Sequence, residues 1–407
     1  MKVLQVNSVY DYGSTGKITA DIHKLLPQYG VMSIVCYGRQ KAVEGANIYR
    51  ICGNSYARAE HLRANITGMM YGGCELSTYK LIKIIKREHP DVVHLQCLNG
   101  YFVNIYMLIE WLKNNRIPTV LTLRAEFMYT GGCGYSIDCN QWSAREGCGH
   151  PTCPRYRSEL KSLFGDPSGH MWKKMKRAFD GFDSNLIIAS VSPWLMERAS
   201  RSPILAGKQH CVVYNGLDTS TFKYYETTCL RQKYHCESKA VVFHATPAFS
   251  ANPEHLKGGY YVLELARKMP DIFFIVAGET FGDVNAPENV YFVGKVENKE
   301  LLAKYYSMAD ITLLTSKKET FSMVCAESLC CGTPVVGFKA GAPEQIAVTE
   351  YSDFVEYGNV YALEQAVREM LRRAADKEEI AVVAQRVYAK ETMVEKYLEL
   401  YKKVLLQ

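Results

Sequence analysis

The sequence predicts an α/β protein of two doubly wound domains. Three observations carry this reading. Apolar runs of strand length alternate with helix-period stretches along nearly the whole chain, the pattern of parallel sheets covered by helices. The alternation comes in two series, parted by a polar stretch without clear periodicity, Thr219 to Lys239. The length, 407 residues, exceeds what one typical core accommodates and favours two or three domains.

The first series opens with Val3 to Val9, an apolar strand, followed by a turn with Gly13, Ser14, Thr15 and Gly16 and a helix from about Lys17 to Leu26. The turn is not a Walker A loop. Asp11 stands where that loop needs its first glycine, and Ile18 follows Lys17 where Ser or Thr is needed. What is left is either a plain tight turn or a small-residue loop whose backbone can approach a ligand closely. Further strands read at Ser33 to Cys36, Val92 to Leu95, Thr119 to Leu123, Leu186 to Val191 and Gln209 to Val213. Between them, Tyr79 to Glu88 is an amphipathic helix with Leu81 and Ile85 inward and Lys80, Lys83 and Arg87 outward. For His94 the plain reading is a satisfied core histidine. The second series has strands at Ala240 to Ala245, Ile272 to Gly278, Val290 to Gly294, Ile311 to Leu314 and Pro334 to Phe338. Val382 to Leu406 closes the chain as one or two helices.

Composition excludes several classes. Hydrophobic content of 48% with 22% charged residues is that of an ordinary globular protein. The longest candidate for a membrane span, Tyr101 to Leu112, is short of the roughly 18 residues required and is interrupted by Asn104 and Glu110. The start, MKVLQVNSV, lacks the flanks of an export signal, so a cytoplasmic protein is expected. No nucleic-acid role is expected. The net charge of +6 is unevenly spread: residues 1–215 carry 26 Lys and Arg against 16 Asp and Glu, and residues 216–407 carry 22 against 26. Within the basic half, Met171 to Phe179 mixes Lys173, Lys174, Lys176 and Arg177 with Met171, Trp172 and Met175, as an interfacial helix does. The alternative packs Trp172 inward. Peripheral contact with anionic membrane lipid is one use of such a surface.

Four of the fourteen cysteines, Cys133, Cys139, Cys148 and Cys153, fall within about twenty residues of glycine-, proline- and polar-rich chain that cannot form a core alone. Without an export signal, thiols or metal ligands are expected over disulfides. A closed tetrahedral structural Zn²⁺ is one reading, with His150 an alternative ligand. Two disulfides or free thiols are the others.

Glu319 to Glu344 carries the chemistry. Met323 to Cys331 reads as a buried helix with Glu327 in its middle, and a buried unpaired carboxylate is expensive. Glu327 must turn into a cleft or find a partner, and a ribose with two adjacent hydroxyls suits a two-oxygen acceptor. Glu319 precedes the helix in the loop after a strand, at the edge where open α/β sheets bind ligands. Between the two acids, the N–H groups of Phe321, Ser322 and Met323 open the helix and attract phosphate. The order acid, amides, acid fits a sugar, a diphosphate and a ribose. The alternative leaves Glu319 solvated and Glu327 paired inside the fold.

Glu319 and Glu327, separated by seven residues and followed by CGTPVVG, Gly341 and Pro343-Glu344, resemble the signature of retaining, nucleotide-sugar-dependent glycosyltransferases of family 4. The cysteine-rich segment, with its GGC, DC, GCG and CP landmarks, resembles a subgroup associated with bacterial capsule, colanic-acid-type and other surface polysaccharides. The resemblance implies the GT-B fold of two Rossmann-like doubly wound domains facing a central cleft. It implies an acceptor-side domain at 1–216 with an insertion at about 131–155, a linker at 217–239, a donor domain at 240–390, and a terminal helix at 391–407 returning to the first domain.

It also implies roles. Glu319 holds the donor sugar, Lys257 and the amides near Ser322 stabilise the leaving diphosphate, Glu327 holds the ribose, and the Gly13, Ser14, Gly16 loop closes on the phosphates. The acceptor is a saccharide or a polyprenyl-diphosphate-linked sugar, and catalysis uses no cofactor. The chain departs from the family pattern twice. Arg124 stands where many members have a histidine, and arginine is no base at neutral pH, which leaves it to orient a phosphate or an acceptor hydroxyl. Leu256 stands where an arginine accompanies the lysine. The rival readings are a nucleotide-sugar epimerase of the same architecture and a catalytically weak sugar-nucleotide-binding scaffold.

Overall fold

The computed structural model describes residues 1–162, 165–373 and 376–407. The chain divides into two compact units, Met1–Tyr214 with Met393–Gln407, and Asn215–Thr392. Among the described residues the first unit holds seven strands: β1 (Lys2–Asn7), β2 (Met32–Tyr37), β3 (Ile48–Arg50), β4 (Val92–Leu95), β5 (Thr119–Leu123), β6 (Leu186–Ser190) and β7 (Gln209–Val212). All pair in parallel, in the order β3-β2-β1-β4-β5-β6-β7. Their connections carry α1 (Gly13–Leu25), α2 (Asn54–Thr67), α3 (Glu75–Glu88), α4 (Ile105–Asn114), α5 (Ser168–Phe179) and α6 (Pro193–Arg201). A parallel sheet covered on both faces needs continuously apolar strands, and β4 and β6 are buried at every position.

The second unit repeats the plan. It holds α7 (Thr228–Lys233), β8 (Val241–Ser250), α8 (Gly259–Lys268), β9 (Phe273–Phe281), β10 (Val290–Gly294), α9 (Lys299–Met308), β11 (Ile311–Leu314), α10 (Met323–Cys330), β12 (Val335–Phe338), α11 (Pro343–Ile346), β13 (Ser352–Val355), α12 (Val360–Arg372) and α13 (Lys377–Tyr388). Its sheet is parallel in the order β10-β9-β8-β11-β12-β13. Val242, Phe274, Val276, Leu313 and Val336 of the sheet pack with Val262 and Leu263 of α8 and Leu363 and Val367 of α12 in one core. The protein is therefore α/β with two Rossmann-like parallel sheets.

The last helix, α14 (Lys390–Leu405), contains the division between the units at Thr392/Met393. Its Met393, Val394, Tyr397, Tyr401 and Val404 complete the core of the first unit against Val3, Val92, Val120 and Ile187. Here lies the reason for His94: its ring nitrogens bond the hydroxyls of Tyr401 and Thr122 at 2.8 Å each, inside the core.

Three sequence expectations shift. The small-residue segment with Gly13, Ser14 and Gly16 is the first turn of α1 rather than a loop before it. Residues 217–239, expected as linker, are folded onto the second unit. Leu217 bridges Ala389, Cys236 is fully buried, and Arg231 donates to Asp310 and to the Met308 carbonyl. The segment is thus anchored at a few points while many of its polar side chains stay exposed. Finally, α5 buries Met171, Trp172 and Met175, so its apolar face belongs to the core and its solvent side carries the four cations and His170. No helix among the described residues is long and apolar enough to cross a membrane.

Candidate active site

In the second unit the chain runs from β8 outward through β9 and β10, and from β11 outward through β12 and β13, so the order reverses between β8 and β11. Ligands of open α/β sheets bind at such a switch point, beyond the carboxyl ends of the strands. Lys257 comes from the loop after β8 and Glu319 from the loop after β11. Their side chains meet: Lys257 Nζ donates to Glu319 Oε1 at 2.7 Å. Two residues that the sequence assigned separate roles thus form one ion pair.

The backbone around this pair is tightly held. Thr315 Oγ1 donates to the Lys257 carbonyl at 3.1 Å, and the Lys317 N–H donates to the Leu256 carbonyl at 2.8 Å. Gly258 follows with φ +67°, and a Cβ there would lie 2.1 Å from the Thr315 carbonyl oxygen. Only glycine allows that approach. On the other side, the Glu319 N–H donates to the Ala340 carbonyl at 2.9 Å, and the Ala342 N–H donates to the Glu319 carbonyl at 3.2 Å. Glu344 in turn accepts the N–H groups of Ala340 and Gly341 at 3.0 Å. The Gly341 to Glu344 end of the motif is therefore the backing that fixes Glu319.

Ser322 caps α10, its hydroxyl accepting the Cys325 N–H at 3.3 Å, and adopts φ +81°. A non-glycine residue held there is strained, and such strain concentrates at functional positions. The first N–H groups of a helix have no intrahelical acceptor, so those opening α10 at Met323 form an anion-attracting end. Phe321 and Ser322 beside them are buried. One turn on, Glu327 stands half-exposed between buried Ala326 and Ser328. It is partly exposed and has a partner inside the fold, accepting from Tyr306 Oη at 3.0 Å.

Glu327 and Tyr306 line a cavity of ≈ 250 Å³, with Thr246, Pro247, Gly278 and Val296 among its other walls. Gly278 is pressed on Thr246, where a Cβ would meet the carbonyl oxygen at 2.1 Å, so only glycine lets β9 approach β8 this closely at the cavity wall. Sequence reading missed these walls. Gly278, ending the apolar run Ile272 to Ala277, was the one available signal; Tyr306 sits in a helix whose pattern does not distinguish it.

The other expected residues lie in the first unit. Gly13, Ser14 and Gly16 form the start of α1. Arg124 follows β5 and is mostly buried, donating from Nη2 to Gln96 Oε1 at 3.0 Å. Close by, the fully buried Glu126 gathers the Ser136 N–H, the Tyr129 hydroxyl and Arg198 Nε, the last at 2.7 Å. Arg198 also lies over the rings of Trp142 and Trp194. This network ties the cysteine-rich segment to the domain. Of the four thiols there, Cys133 and Cys153 share a hydrogen bond that pulls Cys153 below the usual thiol range, and Cys148 Sγ accepts the Gly131 N–H. Among the described residues no group of three or more His, Cys, Asp or Glu side chains is gathered for a metal ion.

Residues 247–386 match the family described as glycosyl transferases group 1, and this span contains Lys257, Glu319 and Glu327. Over 98% of its length the chain is 21% identical to the protein named "Putative colanic acid biosynthesis glycosyl transferase WcaC" of Escherichia coli (strain K12), covering 99% of it. Its structure resembles that of Anabaena Alr3699/HepE in complex with UDP, at 16% identity, covering 99% of this chain and 100% of that one with a TM-score of 0.65. It also resembles WaaG, a glycosyltransferase involved in lipopolysaccharide biosynthesis, at 14% identity, covering 98% and 99% with a TM-score of 0.61. The chain has the GT-B fold of these structural neighbours, and its segment 247–386 matches the glycosyl transferases group 1 family.

Proposed function

We propose that this chain is a retaining family-4 hexosyltransferase that moves a sugar from a nucleotide-sugar donor to a hydroxyl of a saccharide or polyprenyl-diphosphate-linked acceptor. The observation that carries the reading is the arrangement at the switch point: the Lys257–Glu319 pair, the start of α10, and Glu327 on the cavity wall follow one another along one sheet edge. Glu327 takes the ribose hydroxyls. The opening N–H groups of α10 and the Lys257 ammonium take the diphosphate, and Glu319 takes hydroxyls of the donor sugar. The UDP complex of the similar Anabaena structure supports a nucleotide ligand.

In this mechanism the glycosidic C–O bond breaks and its electron pair leaves on the diphosphate oxygen, whose charge Lys257 and the helix end stabilise. The acceptor hydroxyl attacks the same face, guided by that departing phosphate, which receives the hydroxyl proton. No protein nucleophile and no metal takes part. The chain's share is orientation and preorganised charge. The colanic acid and lipopolysaccharide relatives support a role in bacterial surface polysaccharide synthesis, and a place on the cytoplasmic side of the membrane is part of the same proposal.

Isothermal titration with nucleoside diphosphates tests the assignment. Glu327→Ala is expected to weaken binding about tenfold or more, the loss of a charged hydrogen-bond acceptor. Glu319→Ala is expected to abolish turnover while leaving nucleoside diphosphate affinity nearly intact, because it removes a sugar contact and leaves Lys257 for the phosphates. Equal losses of affinity in the two variants would sink the assignment.

A further inference from the structure

We infer that Tyr306 is a positioning residue for ribose recognition, held from behind by Thr333 of the CGTPVVG run. The inference rests on the reading of Glu327 as the ribose acceptor and adds how that carboxylate is aimed. Tyr306 lies on α9, fully buried, with its ring edge-on to Phe243 at 5.0 Å. Its hydroxyl donates to Glu327 Oε2 at 3.0 Å, and both residues line the same cavity. Burial and the Glu327 charge hold the phenol well above its ordinary range, so it stays protonated and remains a donor.

A glutamate at a helix surface has three rotatable bonds. Fixing Oε2 from the buried side restricts them before ligand arrives, which lowers the ordering cost of binding. Tyr306 is itself fixed. Thr333 Oγ1 donates to the Tyr306 carbonyl at 2.6 Å and lies 3.2 Å from the Ala309 carbonyl, tying the end of α9 to the turn after α10. Ser328, next to Glu327, donates to Thr312 Oγ1 at 2.7 Å and lies 2.8 Å from the Thr333 carbonyl. The threonine of CGTPVVG thus serves the same carboxylate from two directions: through Tyr306 and through the helix that bears it.

The test is a ratio. Using the nucleoside diphosphate that the wild type binds tightest among UDP, GDP and ADP, titration gives its Kd and that of its 2′,3′-dideoxy analogue. The wild type is expected to prefer the ribose form at least tenfold. In Tyr306→Phe that preference should fall to about threefold or less, with the Kd of the dideoxy analogue unchanged. A merely structural role would weaken both ligands alike. Adding Tyr306→Phe to Glu327→Ala should cost nothing further. An unchanged ratio in Tyr306→Phe overturns the inference and leaves the Glu327 assignment standing. No ribose preference in the wild type overturns the Glu327 assignment and the inference with it. If Tyr306→Phe does not fold, Thr333→Val reads the same ratio, with about a threefold loss of preference expected and no loss counting against the inference.

Discussion

Lys257 and Glu319 neutralise each other at 2.7 Å, with the lysine one-third exposed and the glutamate less so. A pair of this kind adds little net stability but keeps two charges fixed in a half-desolvated site. In the proposed donor complex one partner is exchanged for another: the ammonium would gain phosphate and the carboxylate sugar hydroxyls. Two other residues set a pH limit. His94 is fully buried, and burial first, then the Arg124 charge, bring its pKa to about 3. In the second unit burial brings His244 to about 4, opposed by its bond to the Leu313 carbonyl. Both values lie below the 6.5 of an unfolded histidine, so the unfolded chain takes up protons that the folded chain refuses. Stability from these groups is whole above about pH 6.5 and falls as pH drops toward 4, by about 2 kcal/mol each at pH 5. Urea midpoints measured at pH 7.5 and pH 5 should differ accordingly, and His94→Gln should lessen the drop. Coincident midpoints would show that neither ring is held neutral.

At the scale of elements, the cysteine-rich segment between β5 and α5 shows how a stretch with few apolar residues is kept folded. Trp142, Cys133, Cys148 and Cys153 are buried, and Glu126, Arg198 and Ser136 bind it to the body of the first unit. As the side chains stand they complete no ligand set, although Cys133 and Cys153 are already in contact. A structural Zn²⁺ here is a proposal from the four-cysteine pattern, and it requires Cys139 and Cys148 to join that pair. Elemental analysis of protein purified without added metal is its test, with about one zinc per chain expected. A zinc-free enzyme of full activity would remove it. The fate of α5 follows from the same region: Gly147 lies against the ring of Trp172, so the aromatic that resembled an interfacial anchor is a core contact for the insertion.

At the scale of the molecule, the first unit carries the excess of basic residues. Lys80, Lys83, Arg87 and Arg50 gather at one surface pocket, and Lys173, Lys176, Arg177 and Arg145 at another. The apolar side of α5 being inside, attraction to anionic headgroups is the part of the membrane proposal that these surfaces support, at about 1 kcal/mol per cation near the lipid. Co-sedimentation with vesicles of anionic lipid should therefore fall steeply with salt and with Lys173, Lys174 and Lys176 changed to Glu. Binding equal to that on neutral vesicles, and indifferent to both changes, would assign the basic surface to something else.

The sequence by itself determined the α/β class, the two series of elements, and the acid–amide–acid order from Glu319 to Glu327. These are local: strand and helix periods, the small residues of Gly332 to Gly341, and the cost of burying Glu327 are all written within short windows. It could not supply what depends on distant chain. That Lys257 pairs with Glu319 across 62 positions, and that Tyr306 holds Glu327, follow only once β8, β11 and α9 are brought side by side. The same holds for Trp172, whose mixed apolar and cationic helix reads equally well as an interfacial or a packed one. Which it is depends on whether another segment covers it, and only the packing of Gly147 decides that.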